Sequence, residues 1–156
     1  MIGRRLFVYG CIAAGTLAAP AIAVAQLPNN YKTPGAVTKA KMDQVCKADY
    51  ASAAKPIAGW QKNEALERYG VRADGFTGEL DHLVPVSLGG SNDPDNLWPF
   101  HASGSFNLAA KQALAAKLHE LVCAGKISLK DAQDAFRKDW TKAYTQHMNA
   151  LNAGGQ

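Results

Sequence analysis

The feature that most constrains the fold of this 156-residue chain is a turn-dense segment between two short extended pieces. Residues 89–94 read Gly-Gly-Ser-Asn-Asp-Pro, and these residue types favour turns because they tolerate or preset backbone dihedrals that regular elements exclude. The flanking residues 80–86 and 96–99 resemble short strands, although Pro85 argues for a sheet edge or a bend. The pattern therefore predicts a two-stranded ribbon whose loop contains several glycines and acids.

Apolar residues at helical spacing surround this ribbon and predict an α+β fold that is mainly helical. Helices are expected over residues 37–50, 57–69, about 105–123, and from Ser128 to about residue 150. The second of these helices should pack Trp60 on its apolar side, and Ser128 with Asp131 forms an imperfect capping box for the last one. Residues 26–36 are expected to be an irregular lead-in to a single domain over residues 37–150.

Residues 1–25 differ in composition from the rest of the chain. Arg4 and Arg5 precede a long uncharged run, which closes with the small residues Ala-Val-Ala up to Ala25. This order is typical of a secretory signal peptide cleaved near Ala25, and it predicts a periplasmic or secreted protein with no stable membrane association after cleavage. An uncleaved membrane anchor is the alternative, but two glycines and a proline interrupt the apolar run.

The net charge is a weak argument for any partner. The chain has 17 Lys and Arg against 13 Asp and Glu, a formal charge of +4, which permits a nucleic-acid partner. Cleavage after Ala25 would remove Arg4 and Arg5 and lower that charge by two units. No concentrated stripe of basic residues is visible, although domains that bind nucleic acid by charge alone usually have one.

Thiols and imidazoles also occur away from the ribbon. Cleavage would remove Cys11 and leave Cys46 and Cys123, and an even pair in an exported chain suggests a disulfide. Two separately buried thiols are the alternative, and a cysteine zinc site is disfavoured because neither residue has a CxxC or CxxH neighbour. His119 and His147 are expected at the surface.

Residues 81–107 concentrate side chains that packing alone explains poorly. Asp81 and His82 are adjacent on an extended piece, so their side chains should point to opposite faces, one towards a metal and the other towards a substrate. Counting back from Leu118 in helical steps gives one face that contains Leu114, Lys111 and Asn107. Because the last two are polar, the start of this helix is expected to line a site.

At these residues the chain resembles the HNH, or ββα-metal, nuclease family, and specifically its small exported bacterial branch. The matching residues are 80–92, Leu-Asp-His-Leu-Val-Pro-Val-Ser-Leu-Gly-Gly-Ser-Asn, and 95–99, Asp-Asn-Leu-Trp-Pro. The resemblance covers most of residues 33–145, and the residues just named are its specific core. The resemblance implies a ββα-metal core with flanking helices and hydrolysis of phosphodiester bonds.

The resemblance also implies a role for each matching residue. His82 corresponds to the general base, Asp81 to a metal ligand, and Asn96 to the residue that holds the loop against the His82 strand. The family usually has a second ligand, a His, at the start of the helix; here Asn107 stands at that position, as in the HNN variant. His101 is the alternative ligand if the helix begins earlier.

The implied cofactor is one divalent metal ion. An amide oxygen from Asn107 would favour Mg²⁺ or Mn²⁺, whereas His101 would widen the choice to Zn²⁺ or Ni²⁺. The implied substrate is nucleic acid, DNA rather than RNA, with Lys111 as a phosphate contact; protein partners are not indicated. Because Asn107 stands where the family usually has a His, the alternative is a catalytically inactive, disulfide-stapled periplasmic binding or structural module.

Overall fold

The computed structural model describes residues 27–101 and 104–153, and these residues form an α+β fold, as the sequence predicts. The elements are α1 (Met42–Val45), α2 (Gly59–Arg68), β1 (Glu79–His82), β2 (Leu97–Phe100), α3 (Leu108–Cys123) and α4 (Leu129–Ala153). The signal peptide expected over residues 1–25 lies outside the described residues. Among the described helices, none combines the length and the apolar composition needed to cross a membrane.

The two strands form an antiparallel ribbon, and the predicted site residues Asp81 and His82 lie at the C-terminal end of β1. Asp81 lies opposite Trp98, and His82 lies opposite Leu97. β1 ends at His82, four residues earlier than predicted, because the chain turns at Pro85 into a short 3₁₀ helix over Val86–Leu88. A second 3₁₀ helix precedes β2, so the loop between the strands is built from two tight helical turns.

The core lies between the ribbon, α3 and α4. Trp98 and Trp140 are almost fully buried, and Phe100 packs at the edge of the Trp98 ring with ring centroids 5.2 Å apart. The α3 face towards this core contains Leu114, Leu118 and Val122. Packing against the two helices therefore fixes one face of the ribbon, and the C-terminal end of β1 is held next to the start of α3.

The first two helices differ from the prediction. α1 is a single turn rather than a helix over residues 37–50, because only Val45 of that turn is buried and short helices depend on tertiary packing. In α2 the buried residues are Ala65 and Leu66, whereas Trp60 is 63% exposed. The expectation that Trp60 packs inside was therefore wrong.

α4 begins as predicted but is divided in the middle. Asp131 N donates to Ser128 Oγ over 3.0 Å, so Ser128 caps the helix. Asp139 has extended backbone angles, and its Oδ1 accepts hydrogen bonds from the amides of Thr141 and Lys142, each at 3.0 Å. Asp139 thus acts as an internal N-cap for the second half of the helix, a break that apolar spacing alone does not reveal.

The lead-in before α1 lies against the loop of the ribbon. Gly35 N donates to the carbonyl of Asp95 over 2.8 Å, and Ser91 N donates to the carbonyl of Ala36 over 3.2 Å. From the other side, Arg137 Nε of α4 donates to the carbonyl of Gly35 over 2.9 Å. Gly35 has φ +84°, and a Cβ atom there would lie 2.8 Å from Arg137 Cγ, so a side chain would be strained and crowded.

The disulfide suggested by the sequence is confirmed: Cys46 is bonded to Cys123, with Cα atoms 5.6 Å apart. Cys46 directly follows α1, and Cys123 is the last residue of α3. The bond therefore ties a segment with little regular structure of its own to one of the two long helices.

Candidate active site

The C-terminal end of β1 and the first turns of α3 border a small cavity of about 140 Å³. Asp81 and His82 both border it from the ribbon, and Lys111 and Gln112 border it from α3. Both residues border this cavity, but their side chains have different partners: Asp81 contacts Lys111 and Trp98, whereas His82 contacts Asn92. That one faces a metal and the other a substrate stays a prediction. Gln112 was not expected at the cavity, since it lies off the apolar stripe of α3.

Asp81 is paired with a buried lysine. Lys111 Nζ lies 2.9 Å from Asp81 Oδ2, and the same carboxylate oxygen accepts a 3.2 Å hydrogen bond from Trp98 Nε1. Because Asp81 and Trp98 are cross-strand neighbours, the ribbon itself orients this carboxylate. Asp81 is therefore held rigidly, with a positive charge beside it.

Lys111 is more enclosed than a phosphate-contacting lysine is expected to be. Its side chain is 3% exposed, and Nζ also donates to the carbonyl of His82 over 2.6 Å. Nζ lies 5.1 Å from the centre of the Phe136 ring, a cation–π distance. Burial lowers the pKa of Lys111, and the neighbouring Asp81 opposes that shift. The ammonium is thus occupied by internal partners, and a contact to substrate phosphate stays a prediction.

His82 has a side-chain partner that the sequence did not reveal. His82 Nε2 and Asn92 Oδ1 are 2.7 Å apart, and Asn92 Nδ2 donates to the carbonyl of Lys55 over 2.8 Å. In the sequence Asn92 belongs to the turn cluster, where an Asn is fully explained by turn chemistry. Only the folded loop shows that its amide faces the imidazole.

Asn96 connects the end of β1 to the loop. It is fully buried, and its Oδ1 accepts from Val84 N over 2.8 Å. Its Nδ2 donates to the carbonyls of Val84, over 3.0 Å, and Ser91, over 2.9 Å. The approach is so close at Gly90 that a Cβ atom there would lie 1.8 Å from the Val84 carbonyl oxygen. Asn96 therefore holds together the segments that follow His82 and precede Asn92.

Replacing Asn96 with alanine is expected to lower the free energy of unfolding by about 3 kcal/mol, because three buried or partly buried backbone groups lose their partner at about 1–3 kcal/mol each before relaxation. Asn96→Asp should be at least as harmful, since a carboxylate would face two carbonyl oxygens. Urea unfolding measures the loss, and Asn63→Ala on the exposed side of α2 is the matched control. A loss below about 1 kcal/mol for Asn96→Ala would contradict the bridging role.

Asn107, the predicted second ligand, lies at the N-terminal end of α3. It is exposed, and its Oδ1 accepts from Ala110 N over 2.9 Å, so it is the N-cap of the helix. Asn107 does not border the cavity that contains Asp81. His101, the alternative ligand, is exposed immediately after β2.

A second group of metal-ligating side chains lies at the disulfide. Ligand atoms of Cys46, His119 and Cys123 all lie within 4.8 Å of one another and could hold a metal ion. The two sulfurs are bonded to each other, however, and a metal needs the thiolate rather than the disulfide. His119 was expected at the surface, but it is partly buried, and its Nε2 lies 2.9 Å from the Val45 carbonyl oxygen. The spacing of His119 and Cys123, one helical turn apart, was the signal that the sequence offered.

No protein-family model, curated protein or solved structure matches this chain. The resemblance to HNH nucleases therefore rests on the residues quoted above.

Proposed function

We propose that this protein is an exported, divalent-metal-dependent endonuclease of the HNH type that hydrolyses phosphodiester bonds in DNA. The observation that carries the proposal is the cavity bordered by Asp81 and His82, at the C-terminal end of β1, and by the first turns of α3. Two antiparallel strands, a loop tied back by Asn96, and a helix follow one another in the order of a ββα-metal core. An acid and an imidazole at one cavity are the groups that metal-assisted hydrolysis requires.

Asp81 and Asn107 have donor atoms that suit a hard divalent cation. Asp81 Oδ2 is used by Lys111 and Trp98, whereas Oδ1 accepts no hydrogen bond from the residues that the structure describes. Asn107 Oδ1 accepts one hydrogen bond and keeps a second lone pair. Mg²⁺ commonly uses few protein oxygens and keeps several waters, so the donor chemistry of these two residues suits Mg²⁺ or Mn²⁺, although Asn107 does not border the cavity. The Lys111 ammonium beside Asp81 should weaken binding relative to an unpaired carboxylate.

When bound, the cation would stabilise negative charge on the scissile phosphate and on the leaving oxygen. In the proposed reaction His82 acts as the general base and takes a proton from the attacking water. Lys111 and Trp98 keep the Asp81 carboxylate oriented, and Asn96 keeps the strand end and the loop in register. The site therefore depends on a preorganised hydrogen-bond network rather than on movement of the strands.

The size of the cavity favours a polymeric substrate whose bulk stays outside it. Its volume of about 140 Å³ is smaller than the roughly 300–1,000 Å³ typical of pockets that enclose a small molecule. A water and a phosphate group can approach such a cavity, whereas a whole nucleoside is too large to be enclosed. The small cavity supports the proposal of cleavage within a strand with little readout of the bases.

The disulfide is compatible with a non-cytoplasmic location, and it supports export as part of the proposal. In oxidising compartments the bond persists, whereas cytosolic thiols are kept reduced. Together with the signal-like residues 1–25, the disulfide supports the proposal that the nuclease acts in the periplasm or outside the cell.

Purified protein is expected to nick supercoiled plasmid DNA in the presence of Mg²⁺ or Mn²⁺, and EDTA should stop the reaction. Gel electrophoresis of plasmid, single-stranded DNA and RNA substrates, with Zn²⁺ and Ni²⁺ as further metals, measures activity and preference. A protein that cuts none of these substrates with any of the metals, and that binds no divalent metal by calorimetry, would instead be the inactive binding or structural module.

A further inference from the structure

The orientation of the Asn92 amide determines which nitrogen of His82 carries the proton. Asn92 contacts His82 on one side, at 2.7 Å, and the carbonyl of Lys55 on the other, at 2.8 Å. A carbonyl oxygen can only accept a hydrogen bond, so the amide NH₂ must face Lys55. Exchanging the amide oxygen and nitrogen would bring two carbonyl oxygens together at that distance. The oxygen Oδ1 therefore faces His82.

An amide oxygen cannot donate, so the hydrogen in the contact between His82 and Asn92 belongs to His82 Nε2. A neutral imidazole has one N–H and one nitrogen with a free lone pair. With the hydrogen on Nε2, the basic lone pair lies on Nδ1. Asn92 thereby distinguishes the two nitrogens in a way that a water molecule, which can donate or accept, would not.

We propose that Asn92 is a positioning residue for the nuclease reaction, and that it fixes His82 in the Nε2–H tautomer with Nδ1 as the base; this inference rests on the proposed function. In the proposed step Nδ1 takes a proton from water as the water oxygen bonds to phosphorus; the P–O bond to the leaving oxygen breaks, and that oxygen keeps the electron pair and takes a proton from solvent water. The Nε2–H bond to Asn92 also restrains rotation of the ring about the Cβ–Cγ bond. Asn92 touches neither substrate nor metal in this scheme.

The surrounding structure holds Asn92 in place. The neighbouring residue, Ser91, accepts from the buried Asn96 through its carbonyl, at 2.9 Å, and its own N–H donates to Ala36. Lys55, which supplies the other anchor, lies in the loop between α1 and α2, outside the ribbon. The orientation of His82 is thus determined by two segments distant in sequence, and a change in either should be felt at the imidazole.

The test combines an imidazole spectrum with cleavage kinetics. In ¹⁵N-labelled protein without substrate or metal, two-bond ¹H–¹⁵N correlations of neutral His82 are expected to show a protonated Nε2 and an unprotonated Nδ1. Asn92→Ala should change this pattern and lower kcat by about 10–100-fold, because small misplacements of a catalytic group have effects of that size. KM should stay near the wild-type value. Asn63→Ala, an exposed asparagine of α2 that borders a different cavity, is the matched control and should change neither readout.

Two results would overturn the positioning role. One is a wild-type spectrum with the proton on Nδ1, which needs no variant and is decisive even if Asn92→Ala folds poorly. The other is Asn92→Ala protein with wild-type kcat. Failure of the proposed function looks different, because wild-type protein would then cut no substrate with any metal, whatever its spectrum shows. A His82→Ala, Asn92→Ala double variant should be no slower than His82→Ala alone, since Asn92 acts only through His82.

Discussion

Replacing His82 with alanine is expected to reduce the rate of DNA cleavage by about 10²–10⁴-fold, the usual contribution of a general base. The variant should keep its fold, because His82 is only partly buried and its side-chain hydrogen bond goes to Asn92 in a loop that other contacts already hold. Plasmid nicking at saturating metal measures the rate, and far-ultraviolet circular dichroism with urea unfolding checks the fold.

The matched control for His82→Ala is His147→Ala. His147 lies on α4 and borders a different cavity, so its loss should leave cleavage at the wild-type rate. If His82→Ala cuts DNA as fast as the wild type, the general-base assignment is wrong. If both variants lose activity equally, the loss comes from a general disturbance of the fold rather than from the chemistry of His82.

Removal of the disulfide is expected to have the largest effect on stability. The bond joins residues 77 positions apart, and in the chain-entropy model a loop of that size stabilises the folded state by about 4–5 kcal/mol, less any strain. A Cys46→Ser, Cys123→Ser double variant should lose about that amount in urea unfolding. Cys46 is only partly buried and Cys123 is exposed, so the substitutions remove little packing.

Wild-type protein unfolded in the presence of dithiothreitol is the internal control for the disulfide. Its free energy of unfolding should match that of the double serine variant, because neither protein has the cross-link. The two proteins differ only in carrying cysteine or serine at positions 46 and 123. A difference between oxidised wild type and double variant below about 1 kcal/mol would show that packing around α1, rather than the cross-link, holds this segment.

The sequence predicted the parts of the fold that depend on local chemistry. The ribbon followed from the turn residues 89–94, and the end of α3 at residue 123 followed from apolar spacing. Gly125, two residues later, has φ +68°, the left-handed conformation that commonly ends a helix. The extent of α1 and the exposure of Trp60 could not be predicted in the same way. Both depend on which surface the rest of the chain supplies for packing, and that information is not contained in a short window of sequence.

For the candidate site, the sequence predicted which residues border the cavity better than it predicted which side chains pair with each other. Asp81, His82 and Lys111 do border one cavity, but no sequence pattern indicated that Lys111 would form an ion pair with Asp81. Asn92 was hidden because turn chemistry already explained it, and its contact with His82 spans ten residues of folded loop. Helical spacing was also ambiguous for Asn107, since an N-cap lies at the edge of a helix face rather than on it.

The contacts of Gly35 have a consequence for the order in which the protein folds. This residue bonds to Asp95 in the ribbon loop and, 102 positions away, to Arg137 in α4. Contacts between residues so distant in sequence form late, because a long stretch of chain must be ordered before they contribute. We therefore expect the loop that carries Asn92 and Asn96 to reach its final arrangement only after α4 has docked. A chain released unfinished before α4 would carry every candidate site residue and still lack an assembled site.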